Sequence, residues 1–179
     1  MEIKKAFTII ELVIVLGVIL ITLPAIFGLF FINLRSQKKI NTIHEVKKNG
    51  DFALDVIQNI IKSRANRIYS DQSATVPVCQ SKTSGTASLS SFKDVDGSTF
   101  YFSLSAGQIA SFSGVISPNP YLLTNSKVAV SNFTLTCDRT NTFSPPLVSI
   151  SFKVDQATGS LYEDVDTMTF QTKVKLRNY

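Results

Sequence analysis

The most prominent pattern in the chain is an unbroken apolar run. From Phe7 to Ile32 it reads FTIIELVIVLGVILITLPAIFGLFFI, with Glu11 as the one charged residue. As a helix rising 1.5 Å per residue the run spans about 39 Å, more than the ~30 Å hydrocarbon core of a bilayer requires. Apolar side chains surround the whole helix without a 3.6-residue stripe, which disfavours a buried core helix of a soluble protein. After Asn33 the pattern changes rather than ends. Ile40, Ile43, Val46, Gly50, Leu54, Ile57, Ile61 and Ile68 recur at helical spacings, while Lys39, Lys47, Lys48, Asp51, Asp55 and Lys62 fall largely off that stripe. No proline interrupts residues 25–76, so the pattern predicts one helix from Phe7 to about Tyr69. Its first part, 7–33, suits a membrane, and its second, 34–69, is an amphipathic stalk. The stripe is not a sustained heptad, which argues against a coiled coil. Asn49-Gly50 is the weak point, since glycine costs ~1 kcal/mol in a helix interior.

Residues 70–99 turn polar and rich in serine and threonine, a long loop with room for one short element. Strand-like runs follow at Thr99–Leu104, Gln108–Ile116, Lys127–Thr136, Leu147–Val154 and Thr167–Leu176. The alternation is clear in Val128, Val130, Phe133 and Leu135, and again in Val148, Ile150, Phe152 and Val154. Pro118-Asn119-Pro120, Asp138–Pro146 and Asp155–Gly159 read as the turns between them. With few helical patterns between strands, an antiparallel sheet is expected. The fold class is therefore α+β: a long N-terminal helix, membrane half plus amphipathic half, packed on a C-terminal antiparallel β-sheet formed by a head of residues 70–179.

Charge sharpens this division. The 179-residue chain carries +5, and residues 35–69 account for it, with eight cations against three anions; residues 70–179 balance eight against eight. The basic excess thus sits beside the apolar run instead of spreading over the body, so no nucleic-acid partner is inferred. One histidine and two cysteines starve most catalytic and metal-binding schemes. No GxSxG, HExxH, P-loop or dinucleotide fingerprint occurs, so the chain reads as no enzyme, with neither a catalytic residue nor a cofactor. His44 lies on the stalk as a solvated residue. Asp94, Asp96, Glu163, Asp164 and Asp166 form acidic clusters that do not follow the EF-hand loop, and they read as solvated turns instead of a metal site. Asn132-Phe133-Thr134 matches the glycosylation sequon but falls within an expected strand. Cys79 and Cys137 stand too far apart for a redox CxxC or a zinc knuckle. Outside the cytoplasm they can pair and tie the loop to a strand; the alternative is two unpaired small core residues.

Two readings compete for the apolar run. A removable secretory signal would use Lys4 and Lys5 as its charged region, but the run exceeds the usual ~7–15 residues and holds a carboxylate. Pro24-Ala25 is its one weak break, and a secreted enzyme cleaved near Ala25 is the most distant alternative. A charge at membrane depth costs roughly 2.5–3.5 kcal/mol on insertion scales, and Glu11 is expected to be unpaired in a lone subunit. The residues around it, Lys4-Lys5-Ala6-Phe7-Thr8-Ile9-Ile10-Glu11-Leu12, resemble the class III leader of type IV pilins and type II secretion pseudopilins. That resemblance, strong over about the first 30 residues, implies a leader peptide of residues 1–6. It implies cleavage between Ala6 and Phe7 by prepilin peptidase, N-methylation of Phe7, and an assembly role for Glu11. Ala6 departs from the family's usual glycine, and Pro24 lies four residues before its common proline, where this chain has Gly28.

The resemblance further implies a structural subunit of a pilus or pseudopilus. It would be stored in the inner membrane as a single-pass protein with its head outside the cytoplasm. Its partners would be other pilin or pseudopilin subunits, the inner-membrane assembly platform and membrane lipid. Residues 52–67, the segments Val130–Thr136 and Leu147–Val154, and the ending Phe170–Asn178 are similar to the larger minor subunits of the J or W type. One pattern points the other way. Arg35, Lys38, Lys39, Lys47 and Lys48 follow the span, against Lys4, Lys5 and the amino terminus before it, and the positive-inside rule then favours a cytoplasmic body. A membrane-anchored binding protein with a cytoplasmic body is accordingly the alternative.

Overall fold

The computed structural model describes residues 8–80, 87–88, 90–113, 117–157 and 167–177. A single helix, α1, runs over Ile9–Arg64, continuing through Pro24. The chain divides into two compact units, Met1–Asn41 and Thr42–Tyr179. In the first, every described residue is exposed. This part of α1 is long and apolar enough to cross a membrane, as a single-pass membrane protein requires.

Among the described residues, the second unit holds the rest of α1 and nine strands: β1 Arg67–Tyr69, β2 Ala87–Ser88, β3 Ser91–Lys93, β4 Thr99–Ser105, β5 Gln108–Ser113, β6 Ser117–Leu122, β7 Val128–Asp138, β8 Leu147–Gln156 and β9 Met168–Lys175. They form two antiparallel sheets, a five-stranded one in the order β1-β3-β4-β5-β6 and a four-stranded one in the order β2-β7-β8-β9. The layout is α+β, with two sheets where the pattern predicted one.

Leu54, expected on the stripe, is only half-buried, and the helix buries Val46, Gly50, Ala53, Ile57 and Ile61. They join Phe92, Phe100, Phe102 and Ile109 of one sheet and Val130, Leu135, Val148, Ile150, Phe152 and Val174 of the other in one core. Strands β4 and β8, and β7 on either side of its bulge, contribute alternate residues, as the pleat demands. Gly50 proves to be a packing site instead of a weak point. A Cβ built there would fall into the ring of Phe170, so the missing side chain lets the helix lie against that ring. Phe170 is stacked on Phe152 with centroids 5.6 Å apart, which restrains the ring from the other side. Polar ties add to the packing: Asn125 N donates to Asn49 Oδ1 at 3.1 Å, and Thr172 Oγ1 donates to Gln58 Oε1 at 3.4 Å.

Three expectations change. The helix ends at Arg64, not near Tyr69, and Ile68 is buried from a strand, β1, paired antiparallel with β3. Ile40, included in the stripe, is 60% exposed, because it precedes the packed unit. Pro118-Asn119-Pro120 lies in strand β6 instead of a turn. That strand is a sheet edge, where a proline's missing N–H breaks no ladder.

Candidate functional site

The N-terminal start of α1 is set by two of the residues singled out above. Thr8 is the N-cap and Glu11 the third helical residue. Glu11 N donates to Thr8 Oγ1 at 3.4 Å, while Glu11 Oε2 accepts from Thr8 N at 3.2 Å and from Thr8 Oγ1 at 3.1 Å. This reciprocal pair is a capping box, satisfying two of the amide donors that a helix start leaves without partners. The carboxylate also sits at the positive end of the helix dipole. Glu11 is therefore hydrogen-bonded within its own chain, contrary to the expectation of an unpaired group. The signal was present as Thr-x-x-Glu ahead of an apolar run; the reading of Glu11 as an intersubunit residue passed over it. Ala6 and Phe7, the expected cleavage and methylation positions, lie outside the described residues.

Farther along, the polar side chains within the apolar half turn back on their own helix. Thr22 Oγ1 donates to the Val18 carbonyl at 2.9 Å, and Asn33 Nδ2 donates to the Leu29 carbonyl at 3.0 Å. Such back-bonding satisfies these two donors without water. The large apolar residues between Ile9 and Ile32 remain bare within the chain; Ile21, for example, is 77% exposed. A surface of this extent marks contact with lipid or with other polypeptides. The site offers a carboxylate held at a helix start and an apolar cylinder behind it.

In the head, Cys79 and Cys137 are joined by a disulfide, with Cα atoms 6.5 Å apart and a sequence separation of 58. It ties the loop after β1 to strand β7 of the other sheet. Beside it lies a residue the sequence reading missed. Arg139 is only 6% exposed, and its guanidinium donates to the carbonyls of Cys79 (3.0 Å), Gln80 (2.5 Å), Asn141 (3.1 Å), Ser144 (2.8 Å) and Thr142. A planar fork of five donors suits such a cluster of carbonyls. No sequence motif marks it, because the acceptors are backbone atoms from two separate loops.

Asp71 organises the preceding loop. Its carboxylate accepts from Thr75 N, Thr75 Oγ1 and Val76 N. The Val76 amide first, then Thr75, hold its pKa down at about 2. Asp94 spends its carboxylate on Val95 N at 2.6 Å within its own turn, and Glu163, Asp164 and Asp166 lie outside the described residues. Among the described residues no group of three or more His, Cys, Asp or Glu is placed to hold a metal ion. His44 is exposed on α1. Asn132 is exposed too, at φ 51° on a bulge in β7 where the register with β8 shifts.

No family model matches the chain, and no curated protein or solved structure matches it.

Proposed function

We propose that the chain is a pilin-like structural subunit, a minor pilin or pseudopilin of the larger J or W type, which acts by assembly and carries out no covalent chemistry of its own. The single observation behind this reading is the capped Glu11 at the head of a bare apolar helix, in register with the residues Lys4 to Phe7. A core helix would be covered, and a signal peptide has no use for a carboxylate fixed at that depth.

In this reading prepilin peptidase cuts after Ala6 and methylates the Phe7 amine, while the subunit waits in the inner membrane with its head outside the cytoplasm. The Thr8 hydrogen bonds lower the cost of holding the Glu11 charge in lipid. On assembly, the amine of a neighbouring subunit's first residue approaches the carboxylate. At low dielectric that attraction strengthens, and desolvation offsets part of it. The apolar cylinder passes from lipid to the other helices of a fibre.

The positive-inside count favours a cytoplasmic body instead. Cys79–Cys137 favours the external one, because cytosolic thiols are kept reduced. The mass of the mature N-terminal peptide from the native membrane fraction decides between them. A peptide beginning at methylated Phe7 is expected; an intact Met1 in a host with active prepilin peptidase sinks the proposal. A second test separates the two duties of Glu11. Glutamine also serves a capping box, so Glu11→Gln keeps the cap and removes the charge. Incorporation into fibres is expected to fall at least tenfold for Glu11→Gln and Glu11→Ala alike, by about 1.4 kcal/mol or more, with membrane insertion unchanged. Normal incorporation of Glu11→Gln would remove the ion pair from the mechanism.

A further inference from the structure

The surface of the head below the disulfide carries a second arrangement that anchoring and assembly through α1 leave unused. A concavity of about 550 Å³ is lined by Lys62 near the end of α1, by Phe143 and Pro145, and by Lys175 and Arg177 at the end of β9. Phe143 is 98% exposed, the most exposed large apolar residue described. It is not a loose tip. Asn141 Oδ1 accepts from Phe143 N at 3.0 Å and from Ser144 N at 2.7 Å, and the buried Arg139 holds the carbonyls on either side of it. A bare aromatic ring on a turn this well fixed is presented without further ordering cost when a partner covers it.

The charges around it are of one sign. Lys175 and Arg177 are exposed at alternate positions, and Lys62 faces the same space. Among the described residues none of the three makes an ion pair. The backbone of β9 adds a direction, for this strand lies at the edge of its sheet, and no described strand pairs with its outer side. An added strand would place its alternate side chains opposite Lys173, Lys175 and the following Arg177.

We infer that this cleft binds an extended acidic peptide segment of another protein. Carboxylates two residues apart meet Lys175 and Arg177, Lys62 meets a third, and an apolar side chain covers Phe143. A nucleic acid fits less well, because residues 70–179 balance eight cations against eight anions. The competing account is that the lysines merely guard an open edge against self-pairing. That account predicts no preference for an acidic ligand over a neutral one.

The test uses the full chain in detergent and three fluorescein-labelled probes followed by anisotropy: a decapeptide alternating glutamate with valine or leucine, the same peptide with glutamine for glutamate, and a ten-residue oligothymidylate. The acidic peptide is expected to bind at least tenfold more tightly than the other two. Phe143→Ala should weaken it about fivefold. The double variant Lys175→Glu/Arg177→Glu should lose it and gain affinity for the lysine-for-glutamate peptide, a reversal that misfolding cannot mimic. Equal binding of acidic and neutral peptides, no binding of either, tighter binding of the oligonucleotide, or a double variant that binds no lysine peptide each overturns the inference. Because every readout concerns the head, the result is independent of cleavage at Ala6 or assembly through Glu11.

Discussion

Helix α1 is one continuous element with two unlike halves. Up to Asn41 its apolar residues are bare, and from Val46 onward its apolar stripe is buried. Backbone hydrogen bonding is the same in both, so the difference lies in where each half finds its apolar surroundings. The stalk half finds them within its own chain, in two sheets. The first half finds none there, and its stability as a helix is a matter for lipid or other polypeptides. A substitution should therefore be felt in one half's readout and be silent in the other's.

The largest effect is expected from the disulfide. Cys79→Ser/Cys137→Ser should destabilise the head by about 4 kcal/mol in the loop-closure account, read from urea unfolding, while membrane partition stays unchanged. Next is Leu16→Lys, which places a charge in the bare half. It should cost about 3 kcal/mol of insertion, read from carbonate extraction, with the head's unfolding midpoint unmoved. A shift in that midpoint would break the division between the halves.

Gly50→Ala tests the buried half. Alanine gains about 1 kcal/mol of helix propensity but drives a methyl into Phe170, so a net loss of about 1–2 kcal/mol is expected. Adding Phe170→Leu should return part of it, and a simple sum of the two single losses would show that helix and ring are not coupled. The smallest effect is Asp71→Asn. The Asp71 carboxyl titrates near 2 in the folded chain against 3.8 ordinarily. Its contribution is therefore complete above about pH 4 and disappears as pH falls through about 2. Thermal midpoints of wild type and Asp71→Asn should differ at neutral pH and converge toward pH 2.

How much of this could be read from the residues depended on the range of the forces involved. The apolar run and the alternating strands β7 and β8 were legible because their patterns are local and periodic. β1 was not, since three residues carry no periodicity, and Ile68 fitted the helical stripe as well as it fits a strand. β6 was hidden by its own prolines, which mark a turn in isolation and an edge once a neighbour is present. The use of Gly50 was beyond reach, because its partner Phe170 lies 120 positions away. At the candidate site, spacing alone carried the Thr8–Glu11 box, but the reading of Glu11 as an unpaired group missed it. The Arg139 contacts were not legible, for carbonyl oxygens leave no trace in a sequence.

Those Arg139 contacts bear on how the head is closed. Hydrogen bonds from one guanidinium reach the carbonyls of Cys79 and Gln80, and Arg139 itself lies two residues beyond Cys137. The side chain thus bridges the same two stretches of chain that the sulfurs join. The covalent tie is thus backed by a noncovalent latch between the same two stretches.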